Sequence, residues 1–75
     1  MSEPLRVRIS REPFGEYFTL EYGAGSSEEL EADAAREWFT TRGANLEQVD
    51  KALDYAWNFY EAFFTIENPR EIPLL

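Results

Sequence analysis

Seventy-five residues with a formal net charge of −8, no cysteine and no histidine exclude a disulfide framework, thiolate or imidazole metal sites, and catalysis built on those two side chains. A chain this short buries only about 60 to 65% of its unfolded surface, which leaves a thin stability margin, and six Phe, four Tyr and two Trp supply the area-efficient core it needs. The charge repels nucleic acid and anionic membranes and points to basic partners, although an acidic surface also serves simply to keep an aromatic-rich chain soluble.

Leu5, Val7 and Ile9 alternate with Arg6, Arg8 and Ser10, the period of a half-buried strand. Phe18, Leu20 and Tyr22 alternate with Tyr17, Thr19 and Glu21 in the same way. Between them Arg11 to Glu16, with Pro13 and Gly15, reads as a turn. The expected β-hairpin covers about residues 4–22, with Arg6 and Arg8 facing Glu21 across its solvent side.

Gly23-Ala24-Gly25 ends the second strand, and Ser26 three residues before Glu29 matches a capping box. The pattern predicts a helix over about residues 27–42, with Gly43 as the left-handed residue just past its end. A glycine-rich turn from strand to helix is also where a phosphate loop would sit. Here the third glycine of the dinucleotide fingerprint and the Lys-Ser/Thr of a P-loop are missing, and Glu28 and Glu29 occupy the anion's place.

Asn45, with Gln48 three residues on, opens a second helix expected over about residues 46–67 and closed by Pro69. Its apolar residues, among them Leu46, Val49, Leu53, Tyr55, Trp57, Phe59, Tyr60, Phe63, Phe64 and Ile66, spread over an arc of about 200°. A helix that apolar is either sandwiched between the hairpin and the first helix or partly turned toward another protein. Pro69 and Pro73 restrict the tail, residues 69–75, to an extended edge segment. The predicted fold is one α+β domain over residues 1–75 in the order ββαα, a hairpin followed by two packed helices.

Candidate chemistry is sparse. Ser10, Ser26 and Ser27 have no evident base beside them, and Lys51 lies among Glu47, Asp50 and Asp54, which hold its charge on. A carboxylate pair could act as acid and base on a glycoside, but that needs a cleft this much chain can hardly build. No stretch resembles an EF-hand loop, and acids at i, i+4 chelate weakly. The expectation is a protein that is not an enzyme, with no catalytic residue, cofactor or metal. Met1-Ser2-Glu3-Pro4 lacks the pattern of a signal peptide, and no run reaches the roughly 18 apolar residues of a membrane span, so the expected location is cytoplasmic.

The acids are unevenly placed, for no Lys or Arg occurs from Glu12 to Ala35. On the predicted first helix Glu29, Asp33 and Glu37 stand at i, i+4 and i+8, a row with a step of about 6 Å, and Glu28 lies beside it. On the second helix Glu47, Asp50, Asp54 and Glu61 share the polar face. The helix dipole accounts for acids in a first turn, Glu28, Glu29 and Glu31, but not for Asp33 and Glu37. The candidate partner-binding residues are therefore Glu28, Glu29, Asp33, Glu37, Asp50 and Asp54, offering a basic cleft fixed negative charges such as a nucleic-acid backbone offers.

In length, in charge and in its β part (Leu5 to Tyr22) followed by an α part (Ser26 to Glu67), the chain resembles the small phage-encoded inhibitors of CRISPR–Cas systems. Several of those are acidic DNA mimics, so the resemblance implies inhibition without chemistry: the acids would meet the basic, DNA-binding surface of a surveillance-complex subunit. It also implies no direct contact with nucleic acid. Six Arg to one Lys fits a GC-rich bacterial or phage genome. The competing expectation is an interaction module, homo- or hetero-oligomeric, that works through Trp38, Phe39, Trp57 and the Ile72-Pro73-Leu74-Leu75 tail; the chain would then be a homodimer or half of a heteromer, and otherwise a monomer. A third is an acidic antitoxin masking a basic toxin.

Overall fold

The computed structural model describes residues 3–67 and 69. In chain order the elements are β1 (Leu5–Arg11), β2 (Phe18–Tyr22), β3 (Ser26–Leu30), α1 (Ala32–Thr41), α2 (Leu46–Phe59) and β4 (Glu61–Ile66). The strands form one antiparallel sheet in the order β3-β2-β1-β4. Strand alternation turns Val7, Ile9, Phe18, Leu20, Ala62 and Ile66 toward one face, where they are buried with Ala35, Trp38 and Phe39 of α1 and Val49, Leu53 and Ala56 of α2. The helices thus cover one face of the sheet and leave the other to solvent, an arrangement antiparallel sheets tolerate.

The α+β class and the β1–β2 hairpin stand as expected, with Arg8 opposite Glu21 and bonded to it at 3.1 Å. Asn45 caps α2 by accepting the Gln48 N–H at 3.2 Å, and Gly43 takes a positive φ of 96° just past α1. The order ββαα does not hold; it is βββααβ.

The first correction concerns Ser26 to Leu30, predicted as the opening of a helix. That stretch is β3, paired with β2 in the register Tyr22–Ser26, Leu20–Glu28 and Phe18–Leu30. Gly23-Ala24-Gly25 is accordingly a strand-to-strand turn, closed by positive φ at Gly23 (61°) and Gly25 (95°), which a Cβ would strain. α1 then starts at Ala32 behind Glu31, whose side chain makes no capping hydrogen bond.

The second correction concerns the long helix predicted to residue 67. α2 stops at Phe59, where Tyr60 adopts a left-handed conformation (φ 71°) and its N–H returns to the Ala56 carbonyl at 2.8 Å. The chain then runs back along β1 as β4, in the register Leu5–Ile66, Val7–Phe64 and Ile9–Ala62. The 200° arc was therefore two elements read as one: residues 46–59 carry a helical stripe, and residues 61–66 alternate as a strand. The tail over residues 70–75 lies outside the described residues.

Arg11 explains the stop. Its guanidinium donates to the Trp57 carbonyl and, at 3.1 Å, to the Gly15 carbonyl, and it lies over the Trp57 ring at 4.1 Å. A cation from β1 thus satisfies a terminal carbonyl of α2 that the helix's own last turn, without a basic residue, leaves open.

Candidate protein-binding surfaces

Three surfaces emerge: the outer face of the helix layer, the outer face of the sheet, and the β4 edge with the flank of α2 beside it. On the helix layer, Asp33 and Glu37 lie one turn apart on α1, opposite the buried Ala35, Trp38 and Phe39. Asp50 and Asp54 lie one turn apart on α2 and border the groove between the helices, together with Ala32, Arg36, Leu53 and Trp57. Arg36 ties the helices together, donating to Asp33 at 2.7 Å and to Asp50. The same two carboxylates, Asp50 foremost, raise the Arg36 pKa, so the guanidinium stays charged. These pairs are open to solvent, Asp33 almost fully, so they orient the acids more than they stabilise the fold.

Of the six predicted acids, the fold brings Asp33, Glu37, Asp50 and Asp54 to this layer. It separates Glu28 and Glu29, because both sit on β3. Glu29 stands on the outer sheet face, opposite Thr19. Glu28 points to the helix side, where its carboxylate accepts from the Tyr22 hydroxyl at 2.9 Å and from Trp38 Nε1. That bond to Glu28 is the main reason the Tyr22 pKa is raised above the ordinary tyrosine value, with burial adding to it. The unbroken row Glu29–Asp33–Glu37 does not form, since i, i+4 spacing requires a helix that starts before Glu29.

The outer sheet face holds a shallow trough of about 590 Å³ lined by Arg6, Arg8, Thr19, Glu21, Ser27 and Phe63. Its central cation, Arg8, is shared between Glu21 and Glu61, the latter at 2.8 Å from Nε. The Arg8 charge is thus spent internally, whereas Arg6 on the same face has no ion-pair partner among the described residues. Among the described residues no group of three or more Asp or Glu could hold a metal ion, and no helix is long and apolar enough to cross a membrane.

The third surface was not foreseen as a unit. Tyr55 and Phe59 stack on α2 with ring centroids 4.7 Å apart and are 55% and 65% exposed, and Phe63 of β4 is 72% exposed. With Lys51, Ala52, Glu61 and Ala62 they line one apolar concavity along the β4 edge. Of the aromatic interface expected from the sequence, Trp38 and Phe39 are buried, Trp57 stays 44% exposed while packing against Phe18 under Arg11, and Ile72 to Leu75 lie outside the described residues. The signal that could have found the patch was the alternation Glu61, Phe63, Thr65 against Ala62, Phe64, Ile66, masked by the helical pattern before it.

Compared with protein-family models, characterised proteins and solved structures, the chain matches none.

Proposed function

We propose that this chain is a non-catalytic binding protein whose acidic helix layer occupies a basic, nucleic-acid-binding surface of a protein partner. The observation in its favour is the α1–α2 hairpin, which sets Asp33, Glu37, Asp50 and Asp54 on one layer with Arg36 among them. Carboxylates on helices that share a core keep fixed spacings, and fixed negative charges are what a row of Lys and Arg binds along a nucleic-acid backbone. Attraction between opposite surfaces steers the encounter and is screened over about 8 Å at physiological salt. A CRISPR surveillance complex is the first partner to try.

The test is a titration of purified surveillance complex with wild type and with the Asp33→Asn/Glu37→Gln/Asp54→Asn variant, at several salt concentrations, with target DNA as competitor. Wild type is expected to compete with DNA and to weaken steeply with salt, and the variant to bind at least about tenfold more weakly. Glu29→Gln, on the opposite face, is expected to bind as wild type does. A flat salt response, or equal binding by the triple variant, would sink the proposal.

A second reading, an interaction module that works through exposed aromatics, is favoured by the Tyr55, Phe59 and Phe63 patch.

A further inference from the structure

β4 is an edge strand, and the phase of its ladder tells which backbone groups face outward. The Arg11 N–H donates to the Tyr60 carbonyl at 3.0 Å. In an antiparallel ladder the hydrogen-bonded pairs recur at every second residue, so Ala62, Phe64 and Ile66 turn their N–H and C=O toward β1. Glu61, Phe63 and Thr65 turn theirs away, and among the described residues nothing pairs with them. Glu61–Ile66 contains no proline or lysine, the usual guards of an exposed edge.

We propose that β4 pairs with β4 of a second copy of this chain, antiparallel about a two-fold axis at Phe63, so that the two sheets become one. The proposal rests on the second reading above and names its partner.

Charge favours a second copy. The chain carries −8, yet the two charged residues that line this concavity are already paired: Glu61 with Arg8, and Lys51 with Glu47 at 4.0 Å. Two copies can therefore meet here without placing free like charges in contact, whereas a basic partner is drawn to the helix layer instead.

The register is self-complementary. With only Glu61, Phe63 and Thr65 able to bond outward, centring the pairing on Phe63 sets that ring against its own mate and Glu61 against the partner's Thr65. Aromatic pairs directly across strands are favourable, and like charges there are not.

Distance and area agree. The axis is perpendicular to the sheet, so both copies keep their helices on the same side. α2 packs on β4 and β1; with strands about 4.8 Å apart, the two α2 axes fall about 10 Å apart, the contact distance of packed helices. Tyr55 and Phe59, on the flank facing β4, would fill that seam. Three rings that each bury 150–250 Å² when fully covered contribute roughly 300–400 Å² per copy, about half of the 800 Å² per partner of a standard interface, and the strand edge adds to it.

Sedimentation velocity over a range of concentrations tests this, with hydrogen exchange read at the Phe63 and Thr65 amides. Wild type is expected at twice its 8.8 kDa mass, with both amides slowed as concentration rises. Thr65→Pro removes an N–H that bonds nothing among the described residues, so the fold should persist by circular dichroism while the dimer weakens at least about tenfold. Phe63→Glu should do the same. A dimer that survives both variants overturns the proposal, because its interface lies elsewhere. A monomer whose two amides exchange freely overturns the second copy and leaves the aromatic patch open to a foreign partner. A monomer whose amides stay protected at every concentration overturns both readings, since the chain then covers its own edge.

Discussion

β3 and β4 are the two edges of one sheet, yet β3 reads Ser-Ser-Glu-Glu-Leu and β4 reads Glu-Ala-Phe-Phe-Thr-Ile. β3 puts Ser27 and Glu29 on the solvent face, and a charged, weakly strand-forming edge does not template a second chain. It stays in the sheet through Leu30 and through Glu28, which takes hydrogen bonds from Tyr22 and Trp38 on the helix side. β4 does the reverse: it is strongly strand-forming, carries an exposed phenylalanine and sends its only acid to Arg8. One edge is thus guarded by charge at some cost in stability. The other is stable and unguarded, as an edge with a partner can be.

The comparison breaks first within β4. Phe64→Pro should cost roughly 2 to 3 kcal/mol in urea denaturation, because it removes an inward ladder bond and leaves the buried Val7 carbonyl unpaired. Thr65→Pro should cost the isolated fold less than about 1 kcal/mol. A larger cost for Thr65→Pro than for Phe64→Pro would mean the ladder phase is the opposite one.

On β3, Glu28→Ala should cost about 1 to 2 kcal/mol, since the Tyr22 hydroxyl and Trp38 indole N–H lose their acceptor in a half-buried site. Glu28→Gln keeps an acceptor and should cost less. The same contact has a pH signature. Tyr22's pKa is raised in the folded state, so the neutral phenol is the stabilised form. Its contribution is complete below the unfolded tyrosine value of about 10 and is lost as pH rises through the higher folded value. Phenolate absorbance should show one tyrosine ionising late in wild type, and Glu28→Ala should bring it back.

Guarding by charge can be tested directly. Glu29→Val should raise stability by up to about 1 kcal/mol through strand propensity, yet make the β3 edge self-associate in light scattering. The smallest expected effect is at the end of β3, where Glu31 precedes α1 without capping it: Glu31→Ser should add about 0.5 to 1 kcal/mol of thermal stability.

How much of this was legible depended on where each signal lives. β1 and β2 were visible because their alternation is set by one buried face, and Asn45 and Gly43 because caps act within a single turn. Ser26 and Glu29 satisfied a capping pattern too, but β2 offered their backbone a better set of partners through Leu20–Glu28 and Phe18–Leu30. Phe59 to Ile66 held no glycine or proline to mark a helix end; the stop came from Tyr60 in a left-handed conformation and from Arg11 far away in sequence. The acidic surface was half visible for the same reason. Asp33, Glu37, Asp50 and Asp54 are placed by helical spacing, which is local, whereas Glu28 and Glu29 are placed by strand pairing, which is not.

By itself, then, the sequence determined the acidic balance, the aromatic core, the β1–β2 hairpin, the second helix's start and the acids that helices carry. These follow from composition or from interactions spanning a few residues. Tertiary structure alone decided that residues 26–30 and 61–66 are strands, that Arg8 is spent between Glu21 and Glu61, and that one edge of the sheet carries an open aromatic patch. The physical reason is that a backbone with two acceptable local conformations takes the one whose hydrogen bonds a distant segment completes.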